Sequence, residues 1–219
     1  MNEMTNSHIL VHEVTYHAPA TLAEASALLT QYDGRARVLA GGTDLLVHIK
    51  MERIAPECLV SLNRIPGLRG LAIRDRHLHI GALTTIQTLG DDGVGYNARI
   101  LEHFLALREA CDLFSTKQVQ VMATVGGNLC NGSPASDSAP ALLVLGAEVV
   151  LVGAEGTRRL PLEQFFIQPG KTALQRGELL TEVVLPRPEP GTGSAFLKVS
   201  RVAADIAKAN AAVMVVRQG

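Results

Sequence analysis

Val38-Leu39-Ala40-Gly41-Gly42-Thr43-Asp44-Leu45-Leu46 runs a short apolar strand into a glycine pair, a hydroxyl residue and an acid. The device returns at Ala123-Thr124-Val125-Gly126-Gly127-Asn128-Leu129: a small residue, a hydroxyl residue, two glycines and a polar residue. With no Cβ in the way, a glycine pair lets backbone N–H groups point outward and a bulky ligand come close. Such a loop can cradle a phosphate without a lysine. A single Gly-Gly after a strand is usually just a turn, but two such loops can clamp one diphosphate from both sides. The second is followed by Ser133-Pro134-Ala135-Ser136-Asp137-Ser138-Ala139-Pro140. Its prolines fix φ, and Asp137 can accept hydrogen bonds from ribose or ribityl hydroxyls. The plainer alternative is a serine-rich turn that caps a short helix at Ala141.

Other nucleotide devices are missing. There is no G-x-x-x-x-G-K-[ST] and no G-x-G-x-x-G, so neither a P-loop nor a Rossmann fingerprint is supported. The formal net charge of -1, from 20 basic and 21 acidic residues, gives no basic excess for nucleic acid. With 4% aromatic residues and no tryptophan, base-stacking platforms are not expected. No apolar run approaches the ~20 residues of a membrane helix. MNEMTNSHIL has neither the positive flank nor the apolar run of a signal peptide. The 3 cysteines, Cys58, Cys111 and Cys130, are far apart, form no CxxC pair and fit a reducing, cytoplasmic compartment. The histidines show no metal-ligand spacing; His77 and His79 share one strand face without further ligands.

Outward from the two loops, the chain alternates elements. Thr21 and Glu24 form a capping box for a helix over 21–32. Strands are expected at 37–40 and 58–62, followed by a strand-turn-strand over 71–80. Ile100, Leu101, Phe104, Leu105 and Leu107 give residues 98–110 a helical period. Gly126-Gly127 opens a stretch read as irregular as far as Pro140. Residues 148–152 and 158–160 flank a Gly-rich turn and read as a hairpin. A strand at 179–185 ends at Pro186, the Pro- and Gly-rich 186–193 reads as a linker, and strands return at 195–199 and 211–216. The last strand has nothing evident to pair with. That predicts a chain whose next domain is missing or supplied separately.

Four ordered motifs now converge: LAGGTDLL, IGALTTIQTL (Ile80–Leu89), TKQVQVMATVGGNLCNGSPASDSAPALL (Thr116–Leu143) and AFLKVSRVAADIA (Ala195–Ala207). Together they make the chain resemble the FAD-binding domain of the molybdenum hydroxylases, the family of xanthine dehydrogenase, the medium subunit of aerobic carbon monoxide dehydrogenase and 4-hydroxybenzoyl-CoA reductase. The resemblance covers nearly the whole chain. It implies an α+β fold of the vanillyl-alcohol-oxidase/p-cresol-methylhydroxylase type, with a small N-terminal α/β subdomain and a larger antiparallel β subdomain. The corresponding division is 1–63, 64–190, and 191–219 as final strands or the start of a further domain. It also implies an oxidoreductase subunit whose non-covalent FAD receives electrons from [2Fe–2S] clusters on a small partner and passes them to an external acceptor. The molybdenum cofactor would sit on a large partner, so no acid–base residue is assigned to this chain. The alternatives are a stand-alone FAD oxidase of the same fold and a non-redox nucleotide-binding scaffold.

Residue by residue, the resemblance places the pyrophosphate against Ala40, Gly41, Gly42 and Thr43 on one side and Thr124, Gly126, Gly127 and Asn128 on the other. Leu39 and Ala123 adjoin these loops, and Asp44 and Leu45 continue the first. Phe114 and Leu180 fall where the adenine has its aromatic and apolar contacts. Asp137 matches the acid of the S-P-x-S-D segment, and Ile206 falls beside the isoalloxazine. Lys198 matches the lysine of the carbon monoxide dehydrogenase pattern; the xanthine dehydrogenase pattern has its lysine one place earlier, at Leu197 here. The cysteine-bearing insertion that the benzoyl-CoA reductase carries after GGNLC is absent, so no extra iron–sulfur cluster is expected. Cys130 reads as a small residue beside the loop and Cys111 as core. Lys171, Arg176, Arg187 and Arg201 read as solvated charges.

Overall fold

The structure, a computed structural model, describes residues 13–90 and 100–217. The signal-peptide reading of the first residues and the start of the helix expected from 98 lie outside them.

The first unit is a parallel sheet with two helices. It contains β1 (Thr15–His17), α1 (Leu22–Gln31), β2 (Ala36–Leu39), α2 (Leu45–Lys50) and β3 (Cys58–Ser61), with strand order β1-β3-β2. β3 is buried at every position, as a central strand covered on both faces must be. Thr21 caps α1 by accepting the Glu24 N–H at 3.2 Å. The Glu24 carboxylate reaches back to the Ala20 N–H at 2.9 Å, one residue beyond the cap itself.

The second unit is an antiparallel sheet with helices carried in one long connection. β4 (Leu71–Arg74) and β5 (His77–Gly81) turn on Asp75 and Arg76, both at positive φ. After β5 come α3 (Ile86–Gly90), α4 (Leu105–Asp112), α5 (Lys117–Gln120), α6 (Val125–Asn131) and α7 (Ser138–Val144). β6 (Glu148–Gly153) and β7 (Gly156–Pro161) follow as the expected hairpin. Then come α8 (Leu162–Phe165), a small ribbon of β8 (Phe166–Gln168) and β9 (Lys171–Thr172), and β10 (Leu179–Pro186). The sheet order is β4-β5-β10-β6-β7. Central β10 sets Val183 opposite both Ile80 and Val149. These three pack with Leu107, Leu129 and Leu142 of the helices in the main core. A second core joins the two units, because Leu83 and Leu179 pack with Ala25, Val60 and Leu62.

Two expectations are corrected here. The region 98–110 is not one helix: residues 100–101 end a helical turn, and α4 starts afresh after Phe104, whose φ of -122° and ψ of 50° are not helical. The apolar positions Ile100, Leu101, Phe104 and Leu107 are nonetheless buried. The stretch 126–140 is not irregular but holds α6 and α7. Glycine disfavours a helix interior by about 1 kcal/mol, yet Thr124 caps α6 by accepting the Gly127 N–H at 3.1 Å. Gly126 is dictated by packing: a Cβ there would stand 2.7 Å from both the Cβ and the carbonyl oxygen of Ala82.

The last strands, β11 (Thr192–Val199) and β12 (Ala209–Val216), pair with each other along their whole length. The expected unpaired strand at 211–216 therefore has a partner. The inner face of this ribbon is fastened to α4. Ser194 Oγ accepts the Ala106 N–H at 3.1 Å, and the Phe196 N–H donates to Glu109 Oε2 at 2.8 Å. Its outer face carries Leu197, Val199, Val213 and Val215, all exposed.

Gly126→Ala is expected to lower stability by about 1–3 kcal/mol, the usual cost of overpacking a tight site. Thermal denaturation of the variant should show a clear drop in midpoint. An unchanged midpoint would show that Ala82 can move aside.

Candidate functional site

The carboxyl end of β2, the N-terminal turn of α6 and the start of β10 enclose a cleft of about 480 Å³ between the two units. One wall is Ala40 to Leu45 and the facing wall is Ala123, Thr124 and Gly126 to Asn128; Phe114 and Leu180 also line it. Two loops far apart in sequence thus meet as anticipated. They meet by direct backbone contact, since a Cβ on Gly41 would collide with the Met122 carbonyl oxygen. Gly42 has φ +75°, a conformation glycine adopts without strain. Gly127 lies at the cleft face, where Thr124 Oγ1 and Ala40 Cβ are its near neighbours.

The walls differ in what they offer a ligand. Every N–H at the start of α6 is used within the chain: Val125 to the Thr84 carbonyl, Gly126 to the Ala82 carbonyl, Gly127 to Thr124 Oγ1 and Asn128 to the Thr124 carbonyl, at 2.9–3.1 Å. The IGALTTIQTL stretch is therefore a brace for this loop; it also bridges Thr85 to Thr124 and bonds the Ile86 N–H to the Ala123 carbonyl. On the opposite wall, among the described residues, no acceptor meets the N–H groups of Gly42, Thr43, Asp44 or Leu45. Backbone amides left over in a lined cleft need an acceptor from water or ligand. Beneath them Asn63 donates to the Ala40 carbonyl at 3.3 Å and accepts from Arg69, which also donates to the Leu83 carbonyl.

Charge in the lining is sparse. Arg37 is the cationic side chain of the lining, His48 adds an imidazole, Asp44 and Glu178 are the acidic ones, and there is no lysine. Asp44 accepts from Asn131 Nδ2 at 3.2 Å, across the cleft. Glu178 is clamped by Arg158, Nε on Oε1 at 2.7 Å and Nη2 on Oε2 at 2.8 Å, and it also takes the Gln175 N–H. The Arg158 hydrogen bonds, helped by that N–H, hold its carboxyl below the ordinary carboxylate range. Burial pushes the half-buried Cys130 thiol up to about 12, so it is not a thiolate nucleophile beside the cleft. Burial likewise raises Cys111 in the core.

Four of the anticipated residues lie off the lining. Leu39 packs beneath, its Cδ1 3.0 Å from where a Gly42 Cβ would stand. Ile206 is 64% exposed. Asp137 and Lys198 form a buried pair, Nζ to Oδ2 at 2.7 Å, and Lys198 also donates to the Leu113 carbonyl at 3.0 Å. Asn210 of β12 donates to Asp137 Oδ1 at 3.3 Å and to the Ser136 carbonyl at 3.0 Å. Asp137 heads α7 but makes no side-chain cap bond; the serine-rich turn does cap the helix, because Ser136 Oγ accepts the Ala139 N–H at 3.3 Å. Arg37, His48, Asn63, Arg69, Asn131 and Glu178 were not anticipated, because no local motif marks them; their place follows from the tertiary meeting of the two units. Among the described residues no His/Cys/Asp/Glu group could hold a metal ion, and no helix is long and apolar enough to cross a membrane.

Residues 12–188 match the family model described as the FAD binding domain in molybdopterin dehydrogenase. The chain is 35% identical over 204 residues to the carbon monoxide dehydrogenase medium chain of Hydrogenophaga pseudoflava, covering 93% of this chain and 69% of the relative. It is 34% identical over 195 residues to the xanthine dehydrogenase FAD-binding subunit of Escherichia coli O157:H7, covering 88% and 65%. A solved structure of the Hydrogenophaga pseudoflava carbon monoxide dehydrogenase, which lacks the Mo-pyranopterin moiety of its cofactor, superimposes with a TM-score of 0.89, covering 95% of this chain and 71% of that one.

The Arg158–Glu178 clamp gives a pH prediction. A carboxyl whose folded pKa is lowered stabilises the fold fully above its unfolded value of about 4.3, and that stability is lost as pH falls through the lowered folded value. Arg158→Ala should therefore reduce stability at neutral pH and make the loss of stability below about pH 4 shallower. Urea unfolding from pH 3 to 7 is the check; parallel curves for the two proteins would contradict the assignment.

Proposed function

This chain belongs to the FAD-binding domain family of the molybdopterin dehydrogenases, and we propose that it is the electron-transfer subunit of a molybdenum hydroxylase, with FAD lying along the cleft between its two units. The observation that carries the reading is the row of free amides from Gly42 to Leu45, facing Gly127 and Asn128 across a cleft with no lysine. Partial positive charge on such amides suits a pyrophosphate, so the residues present fit the group.

The pyrophosphate is assigned to the Gly42–Leu45 amides, with Ala40 and Gly41 shaping that wall and Thr124, Gly126, Gly127 and Asn128 closing the other. Leu39 supports the first loop from behind, and Ala123 lines the cleft at the start of the second. Phe114 and Leu180 would take the adenine between apolar surfaces. Asp137 and Lys198, held together with Asn210, and the exposed Ile206 lie toward the ribbon; they are assigned to the ribityl and isoalloxazine end. When bound, the cofactor supplies exchange between one-electron carriers and a two-electron acceptor. This chain would position it, shield its apolar faces and donate backbone hydrogen bonds to its phosphates.

The chain would take its electrons from [2Fe–2S] clusters on a small partner subunit and pass them to an external acceptor, with a large partner holding the molybdenum cofactor. The names of the relatives support this arrangement, as they describe a medium chain and an FAD-binding subunit of larger dehydrogenases. We place the assembly in the cytoplasm, which suits free cysteines. The segments 1–63, 64–190 and 191–219 are proposed as the working divisions. Support for the second boundary is that the family match stops at residue 188, just past β10.

Native co-purification tests the assembly: iron and molybdenum should accompany this chain. Flavin on this chain reduced by an organic substrate without partners would favour a self-sufficient oxidase instead. For the site, Gly127→Val should abolish FAD binding while the chain still folds, with some loss in thermal midpoint because its Cβ meets the capping Thr124 Oγ1 and no protein backbone. A variant that purifies with normal flavin content would overturn the placement of the pyrophosphate.

A further inference from the structure

Ser136 and Ser138 flank Asp137 and turn the opposite way. Asp137 faces Lys198 and the ribbon, whereas Ser136 Oγ and Ser138 Oγ lie 2.6 and 2.7 Å from Asn128 Oδ1 at the cleft. Both serines are buried, at 5% and 0% exposure.

The oxygen and nitrogen of a side-chain amide have nearly the same shape, so its orientation is decided by hydrogen-bond partners. Here the partners decide it. Ser136 Oγ already accepts the Ala139 N–H at 3.3 Å, so its own proton needs an acceptor. Ser138 has Asn128 as its side-chain partner, and its proton has the same need. Were the amide reversed, both serines would receive N–H donors and two buried hydroxyl protons would be left unpaired. An unpaired buried polar group is costly. Oδ1 is therefore committed to the serines, and Nδ2 is left facing the cleft that Asn128 lines. Among the described residues nothing accepts from Nδ2.

We infer that Ser136 and Ser138 are positioning residues that lock the Asn128 amide as a fixed donor toward an anionic oxygen of the ligand, on the reading above a pyrophosphate oxygen. An unlocked amide could turn its carbonyl toward the phosphate and meet it oxygen to oxygen. The two hydroxyls remove that option. They also make this wall contribute a side-chain donor, although its backbone amides from Val125 to Asn128 are occupied within the chain.

The test is FAD titration of the flavin-free full chain. Asn128→Ala and the pair Ser136→Ala with Ser138→Ala should each weaken binding about tenfold, the effect of one hydrogen bond to a charged group. Adding the serine changes to Asn128→Ala should weaken it no further. Equal, additive losses in both backgrounds would show that the serines act on their own, and the inference would fall. Because removing buried hydroxyls can loosen the fold, Asn128→Asp gives an independent arm. Its carboxylate still accepts from both serines, so the thermal midpoint should hold, but it turns an anionic oxygen to the cleft. It should bind FAD more weakly than Asn128→Ala; binding like the unaltered chain would overturn the inference. An unaltered chain that takes up no FAD would instead overturn the cofactor reading on which this rests.

Discussion

The Gly41 Cα lies against the Met122 carbonyl oxygen so closely that no side chain could stand between them. The first loop comes from a parallel sheet and the second from a helical connection in an antiparallel sheet, and this contact sets how near the two come. It closes the base of the cleft, which leaves Gly42 to turn at positive φ and send the following amides outward. The second loop is made rigid by spending the Val125 and Gly126 amides on the Thr84 and Ala82 carbonyls and those of Gly127 and Asn128 on Thr124. One wall therefore offers backbone donors and the other offers a braced surface with one side-chain amide. A pyrophosphate suits that asymmetry, because its negative charge is met by dipoles already aligned.

Farther along, a single buried charge pair ties the ribbon to the cleft. Lys198 and Asp137 are almost wholly shielded from water, at 3% and 7% side-chain exposure, and each has a further partner, the Leu113 carbonyl and Asn210. Breaking such a pair by removing one member costs more than the pair contributes, since the remaining charge is stranded. The segment 136–138 thus carries two roles on alternating side chains: hydroxyls for Asn128 in one direction, a carboxylate for the ribbon in the other. Docking of β11 and β12 and the shape of the cleft are coupled through three consecutive residues.

Much of this was legible in the sequence where local chemistry determines structure. The capped helix after Thr21, the hairpins around 75–76 and 154–155 and the two glycine loops follow from caps, turns and period. The meeting of those loops was suggested by the pattern they share and made residue by residue only through the resemblance. Helix α6 was missed because its opening glycines read as breakers, while Thr124 and the close approach to Ala82 override their propensity. The brace role of 80–89, the Asn63–Arg69 support under Ala40 and the turning of Asp137 toward Lys198 rather than into the lining are tertiary facts. They depend on where β5, β11 and β12 come to rest.

The central claim is that a bound FAD pyrophosphate is held by the amides from Gly42 to Leu45. Hydrogen exchange of the flavin-free chain, with and without added FAD, tests it residue by residue, since amide exchange reports hydrogen bonding and opening locally. FAD should slow exchange at Gly42, Thr43, Asp44 and Leu45, while the amides of Val125 to Asn128 are already protected without it. Exchange at 42–45 that FAD leaves unchanged, with new protection confined to the second loop, would contradict the account.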